Sequence, residues 1–123
     1  MFELKIKGEF SSAHLLREYD GKCKNLHGHN WKVDIEVYKK ELDPIGMVAD
    51  FGFLKSKMNE VLEILDHRFL NDLDYFKQSN PTSENIAKYI YAEYAKVIDP
   101  IKVKSVSVWE SDSACVKYYE DSV

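Results

Sequence analysis

Along residues 2–14 the apolar side chains Phe2, Leu4, Ile6 and Phe10 alternate with Glu3, Lys5, Lys7 and Glu9, the period of a half-buried strand. His14 is in phase with the apolar set. From 15 to 28 the chain turns polar and irregular, with Gly21 and Gly28 as breakers, before Trp31, Val33, Ile35 and Val37 restore period two against Lys32, Asp34 and Glu36. This predicts a second strand. Leu42-Asp43-Pro44-Ile45-Gly46 is loop chemistry, and Asp50 is placed to cap a helix whose core stripe is Phe51, Leu54, Met58, Val61, Leu62 and Leu65. A second helix is predicted from about Thr82 to Ile98, opened by Pro81-Thr82 and stopped by Asp99-Pro100, with Ile86, Ala87, Ile90, Tyr91 and Tyr94 inward. Val103 to Ser111 and Ala114 to Tyr119 read as a hairpin around Ser111-Asp112-Ser113. The order ββααββ implies an α+β fold with both helices on one face of an antiparallel sheet.

At 123 residues the chain has room for one domain, 1–123, and its 45% hydrophobic and 31% charged content excludes a disordered, collagen-like or disulfide-rich chain. No apolar run approaches the roughly 18 residues of a membrane span. The opening Met1-Phe2-Glu3-Leu4-Lys5 alternates charge with apolar residues and does not resemble a signal peptide, so the expected location is the cytoplasm. There the two cysteines, Cys23 and Cys115, stay reduced, which turns attention to reactivity or metal binding. A net charge of −4 speaks against nucleic acid as partner, while leaving a small anionic substrate open.

The four histidines are His14, His27, His29 and His67. On an extended segment, residues two apart share a face, so His27-Gly28-His29 presents two imidazoles side by side, and His14 ends the neighbouring strand. Three neutral imidazoles make a zinc site with one open position, as catalytic zinc requires; Cys23 as a fourth ligand would instead close it. Cys23 lies between Lys22 and Lys24, cations of the sign needed to raise a thiolate fraction that is otherwise only about 3% at pH 7. Cys115, between Ala114 and Val116 in a predicted strand, reads as an inert small hydrophobe. Asp66 beside His67 can orient an imidazole, or can simply be a charged helix end. Glu110, in phase with Val106 and Val108, puts one carboxylate on an apolar face, where a ligand with N–H donors would satisfy it. An edge-exposed glutamate is the alternative.

Phe10-Ser11-Ser12-Ala13-His14, Cys23-Lys24-Asn25-Leu26-His27-Gly28-His29, Asp50-Phe51, Leu65-Asp66-His67, Asn80-Pro81-Thr82-Ser83-Glu84-Asn85 and Trp109-Glu110-Ser111 occur in this order over nearly the whole chain. In this the sequence resembles the 6-pyruvoyl-tetrahydropterin synthase and 6-carboxytetrahydropterin synthase family. The resemblance implies the tunnelling fold, a four-stranded antiparallel sheet carrying two helices, with subunits joined into a homo-oligomer, a tetramer or hexamer. It implies that His14, His27 and His29 bind zinc, that Cys23 is the general base, and that Asp66 and His67 are its relay partners. It further makes Glu110 the pterin anchor and a member of the proton relay, with Thr82, Ser83 and Glu84 lining the pterin pocket. Both branches act on 7,8-dihydroneopterin triphosphate. The Cys-x3-His-Gly-His spacing resembles the carboxy branch of queuosine synthesis, whose lyase reaction releases acetaldehyde and triphosphate. The pyruvoyl branch, which eliminates triphosphate only, is the alternative, and a non-catalytic zinc-stabilised pterin-binding or oligomerisation module is the alternative of another class. Arg17, Lys22, Lys24 and Arg68 read as solvated surface charge, with triphosphate contact as the rival.

Overall fold

The computed structural model describes residues 1–19 and 25–121. Alternating side chains build β1 (Phe2–His14) and β2 (His27–Lys39), which pair antiparallel from Phe2 opposite Lys39 to His14 opposite His27. The helix α1 (Phe51–Leu65) starts where the Asp50 side chain accepts from the Gly52 N–H, and α2 (Ser83–Ile98) where Thr82 accepts from the Asn85 N–H. Each cap satisfies an N–H that has no partner within its helix. After α2 come β3 (Lys102–Ser111) and β4 (Ala114–Tyr118), giving one antiparallel sheet in the order β1-β2-β3-β4. The architecture is the α+β fold expected from the pattern, a four-stranded antiparallel sheet carrying two helices, as the resemblance also implies. Two short 3-10 turns, Leu70–Asp72 and Asp74–Phe76, link the helices. Among the described residues no helix is long and apolar enough to cross a membrane.

The core lies between the sheet and the helices. Ile6 and Phe10 of β1, Trp31, Val33, Ile35 and Val37 of β2, and Val103, Val106 and Val108 of β3 are buried against Leu54, Met58, Leu62, Ile86, Ile90 and Tyr94. Phe10 and Trp31, opposite one another in the ladder, stack with ring centroids 5.8 Å apart. The Tyr94 hydroxyl donates to the Leu54 carbonyl at 2.9 Å, tying α2 to α1.

Three expectations about burial are corrected. Phe51 is 53% exposed, because the first turn of α1 overhangs edge strand β1 beside Lys5 and Lys7 and has nothing beyond it to pack on. Tyr91 is only half-buried, its hydroxyl reaching the Val103 carbonyl at 3.3 Å. Cys115 is an exposed free thiol: it sits opposite Trp109, on the sheet face that the helices leave uncovered.

Close packing of α1 on β1 depends on Gly8. A Cβ built there would lie 2.7 Å from Met58 Cε and 2.9 Å from Leu62 Cδ1, inside van der Waals contact. Overpacking of this kind typically costs about 1–3 kcal/mol. Gly8→Ala should therefore lower the urea midpoint correspondingly. The loss should shrink in a Met58→Ala background, where the clashing methyl is gone; equal losses in both backgrounds would remove the steric explanation.

Candidate metal centre

The antiparallel register brings His14, the last residue of β1, opposite His27, the first of β2, and period two carries His29 to the same face. Two backbone carbonyls fix the rings. His14 Nδ1 lies 2.7 Å from the Pro81 carbonyl oxygen, and His27 Nδ1 lies 2.7 Å from that of Asn25. A carbonyl only accepts, so both Nδ1 atoms carry the proton and both Nε2 atoms present lone pairs. Those two lone pairs face each other across 3.0 Å. His29 Nε2 is also buried and has no hydrogen-bond partner. Three ring nitrogens gathered in one space, two of them with lone pairs facing each other, favour a cation between them.

A proton is a poor candidate for that cation. His14 is 1% exposed, its ring edge-on to Trp31 at 4.9 Å, and burial pushes its pKa below the usual histidine value despite the opposing pull of the Pro81 carbonyl. Burial lowers His29 as well, against the attraction of Glu110. Burial thus favours the neutral, metal-binding form of His14 and His29. With His27 and Glu110 they make a group of four side chains whose donor atoms all lie within 4.8 Å of one another. Such an N3O set can hold a divalent ion such as zinc.

Glu110 was expected to face the pterin and not the metal. It reaches both. A bulge between Trp109 and Ser111 leaves Glu110 without a cross-strand partner at the end of β3, and bulges re-aim side chains in this way. Its Oε1 lies 2.9 Å from His29 Nε2, 3.7 Å from His14 Nε2 and 4.0 Å from His27 Nε2. Its Oε2 accepts from the Ser83 hydroxyl at 3.2 Å. The same carboxylate lines a cleft of about 340 Å³ with His14, Leu16, Thr82, Ser83 and Glu84. The segment matched to the pterin pocket and the histidine cluster therefore share one wall.

Asp66 and His67 are held elsewhere, along β1. Asp66 Oδ1 accepts from the Ser11 N–H at 2.8 Å, and Oδ2 lies 2.9 Å from His67 Nδ1. Those two partners, Ser11 first, keep the Asp66 carboxyl below the usual carboxylate range. His67 has φ of 53° and a side chain 82% exposed, so the pair exists as expected but neither residue lines the cleft. Cys23 lies outside the described residues, as do Lys22 and Lys24. Arg17 is committed to the backbone, donating to the carbonyls of Phe76 and, at 3.1 Å, Ser79. Arg68 is exposed.

Two positioning residues escaped the sequence reading. Asn71 donates to the Leu15 carbonyl at 2.9 Å and accepts from the Leu15 N–H at 3.0 Å, and Asn80 makes the same pair with Arg17 at 2.9 Å each way. These side-chain amides replace a pairing strand for the segment leaving His14. Their signal in the sequence was weak: polar residues in loop stretches, where asparagine is common anyway.

The fold and the site together define a small α+β protein with a cluster of three imidazoles and a carboxylate beside a cleft. The family profile described as 6-pyruvoyl tetrahydropterin synthase matches residues 3–121, and the chain belongs to that family. A relative from Haemophilus influenzae, named 6-carboxy-5,6,7,8-tetrahydropterin synthase, is 32% identical over 143 residues, covering 98% of this chain and 100% of its own. The human 6-pyruvoyl tetrahydrobiopterin synthase is 41% identical over 103 residues, covering 80% of this chain and 70% of its own. The solved Caenorhabditis elegans 6-pyruvoyl tetrahydropterin synthase superposes with a TM-score of 0.85 at 31% identity, covering 98% of this chain and 96% of that one.

Zinc at 100 times its dissociation constant should stabilise the protein by about 2.7 kcal/mol, and a chelator should reverse the gain. In His29→Ala the melting temperature should no longer respond to zinc or chelator. An unchanged zinc response in that variant would remove His29 from the site.

Asp66 gives a pH-dependent prediction. Its folded pKa is depressed, so its contribution is present above the unfolded value of about 3.9 and is lost as pH falls through the folded one. Asp66→Asn should be less stable than the unsubstituted protein at pH 7, with the gap narrowing toward pH 2. Urea midpoints at the two pH values test this, and a constant gap would refute the linkage.

Proposed function

We propose that the chain is a 6-carboxy-5,6,7,8-tetrahydropterin synthase, a cytoplasmic zinc-dependent lyase acting as one domain, 1–123. It converts 7,8-dihydroneopterin triphosphate with release of acetaldehyde and triphosphate, in the service of queuosine and other deazapurine synthesis. The observation that carries the reading is the convergence of three imidazoles, two of them tautomer-fixed, with Glu110, beside the cleft that His14, Thr82, Ser83, Glu84 and Glu110 line. Cys23-x3-His27-Gly28-His29 and the carboxy-named relatives favour the carboxy branch.

In this reading His14, His27 and His29 hold the ion, which when bound supplies Lewis-acid polarisation of a substrate hydroxyl oxygen. Cys23 removes the proton made acidic there, and Asp66 and His67 act as its relay partners. Glu110 anchors the pterin by accepting from its amino and ring N–H groups and takes part in the relay, while Thr82, Ser83 and Glu84 shape the pocket. The enzyme is a homo-oligomer, a tetramer or hexamer. In support, β4 and the Phe2–Glu9 stretch of β1 are sheet edges, which proteins pair or cover. Residues 67–69 pair only with the far end of β1, through Ser11 and Ala13.

The pyruvoyl reaction is the second reading, favoured by the similarity to the human enzyme of that name. Product analysis by mass after incubation with 7,8-dihydroneopterin triphosphate separates the two: acetaldehyde and a carboxypterin are expected, and a pyruvoyl product would move the chain to the other branch. Cys23→Ala should abolish turnover while retaining zinc. Loss of metal and stability together in that variant would indicate a closed structural site and a non-catalytic module.

A further inference from the structure

We propose that Glu110 is the fourth metal ligand of the substrate-free enzyme, held by Ser83, and that the pterin ring draws this carboxylate off the metal as it binds. The inference deepens the function proposed above and rests on it for the identity of the ligand.

Four donors at tetrahedral positions with bonds of about 2.0–2.2 Å lie about 3.3 Å from one another. The separations here are 3.0 Å between His14 and His27 Nε2, and 2.9, 3.7 and 4.0 Å from Glu110 Oε1 to the three Nε2 atoms. Glu110 is thus within reach of a position shared with the three imidazoles, all four donor atoms lying within 4.8 Å of one another. Its 2.9 Å approach to His29 Nε2 is close but does not have the alignment of a good hydrogen bond. Meanwhile Oε2 is engaged by the hydroxyl of Ser83, the first residue of α2, where helix N–H groups favour negative charge. The two oxygens have separate tasks, one toward the metal position and one toward the cleft wall.

A carboxylate shared in this way is a switch. With a metal held by the three histidines and no pterin present, Oε1 would be its fourth donor. A pterin in the cleft offers amino and ring N–H donors to the same carboxylate, and each oxygen that turns to them leaves the metal. With a metal held by the three histidines, the freed position would be available to a substrate oxygen. Anchoring the ring and opening the metal become one event, so the reactive coordination site exists only when substrate is in place. Glu110 is partly exposed and lies at a bulge outside the ladder, so its side chain can move without breaking strand pairing.

The test uses the full chain loaded with cobalt(II), whose visible absorption bands report ligand number and type. Glu110→Gln should bind cobalt about ten- to a hundredfold more weakly and show altered bands, with its melting temperature without metal near that of the unsubstituted protein. Ser83→Ala should lose less affinity, and Ser83→Thr, which keeps the hydroxyl, should recover it. Neopterin, an oxidised pterin without the triphosphate, should shift the bands of the unsubstituted protein and leave those of Glu110→Gln unmoved. Equal cobalt affinity and identical bands in Glu110→Gln would overturn the ligand assignment. Neopterin that binds, by quenching of its fluorescence, without shifting the bands would overturn the exchange while leaving the pterin reading intact. Absence of neopterin binding would overturn both the pterin reading and the exchange.

Discussion

The register of β1 against β2 is the constraint on which the site depends. Side chains alternate faces strictly along a strand, so sliding β1 by one residue would turn Ile6 and Phe10 to solvent and carry His14 away from His27 in the same movement. Each large apolar side chain kept out of water is worth about 1.5–3 kcal/mol. Several such residues guard the register, whereas no single contact among the imidazoles could. The placement of ring nitrogens at the end of the ladder is inherited from apolar packing in its middle. Trp31 joins the two, stacking on Phe10 toward the core and meeting His14 and His29 edge-on toward the site.

The same burial that secures the rings makes the site the least satisfied place among the described residues. Lone pairs face one another at 3.0 Å, and a buried ring nitrogen goes without a partner. Elsewhere buried polar groups are matched: the Tyr94 hydroxyl meets the Leu54 carbonyl, and Ser12 Oγ meets the Leu65 carbonyl. Local dissatisfaction amid general satisfaction is what a preformed ligand site requires, because the missing partner is the ligand.

Most of the fold could be read from the chain, and the reasons are visible residue by residue. β1 was expected over residues 2–14 and runs Phe2–His14; Asp50 and Thr82 were expected at helix starts and cap there. Apolar periodicity and capping chemistry are local signals, and they survive folding. β2 was legible only from Trp31, because His27 to Asn30 contain no apolar residue; they extend because β1 offers them a partner. Phe51 and Cys115 matched core patterns and lie exposed, since a pattern does not reveal where a neighbouring layer ends. At the site, the three histidines announced themselves by spacing. The dual reach of Glu110 did not, because it follows from a bulge, and a bulge is a relation between two strands. The asparagine clasps on Leu15 and Arg17 were hidden for the same reason: they join residues more than 50 positions apart.

The atoms that set the histidine tautomers are main-chain oxygens, at Pro81 and Asn25. No substitution at either position deletes a carbonyl, so the orientation of the metal-facing nitrogens is insulated from point mutation where many enzymes would use a replaceable aspartate. What can disturb it is displacement of the segments that carry those oxygens. Positions 25 and 81 are therefore free to drift in side-chain identity while the loop paths around them are not. Sequence change in this protein can reach the chemistry of the site more readily through insertions and deletions than through exchange of one residue for another.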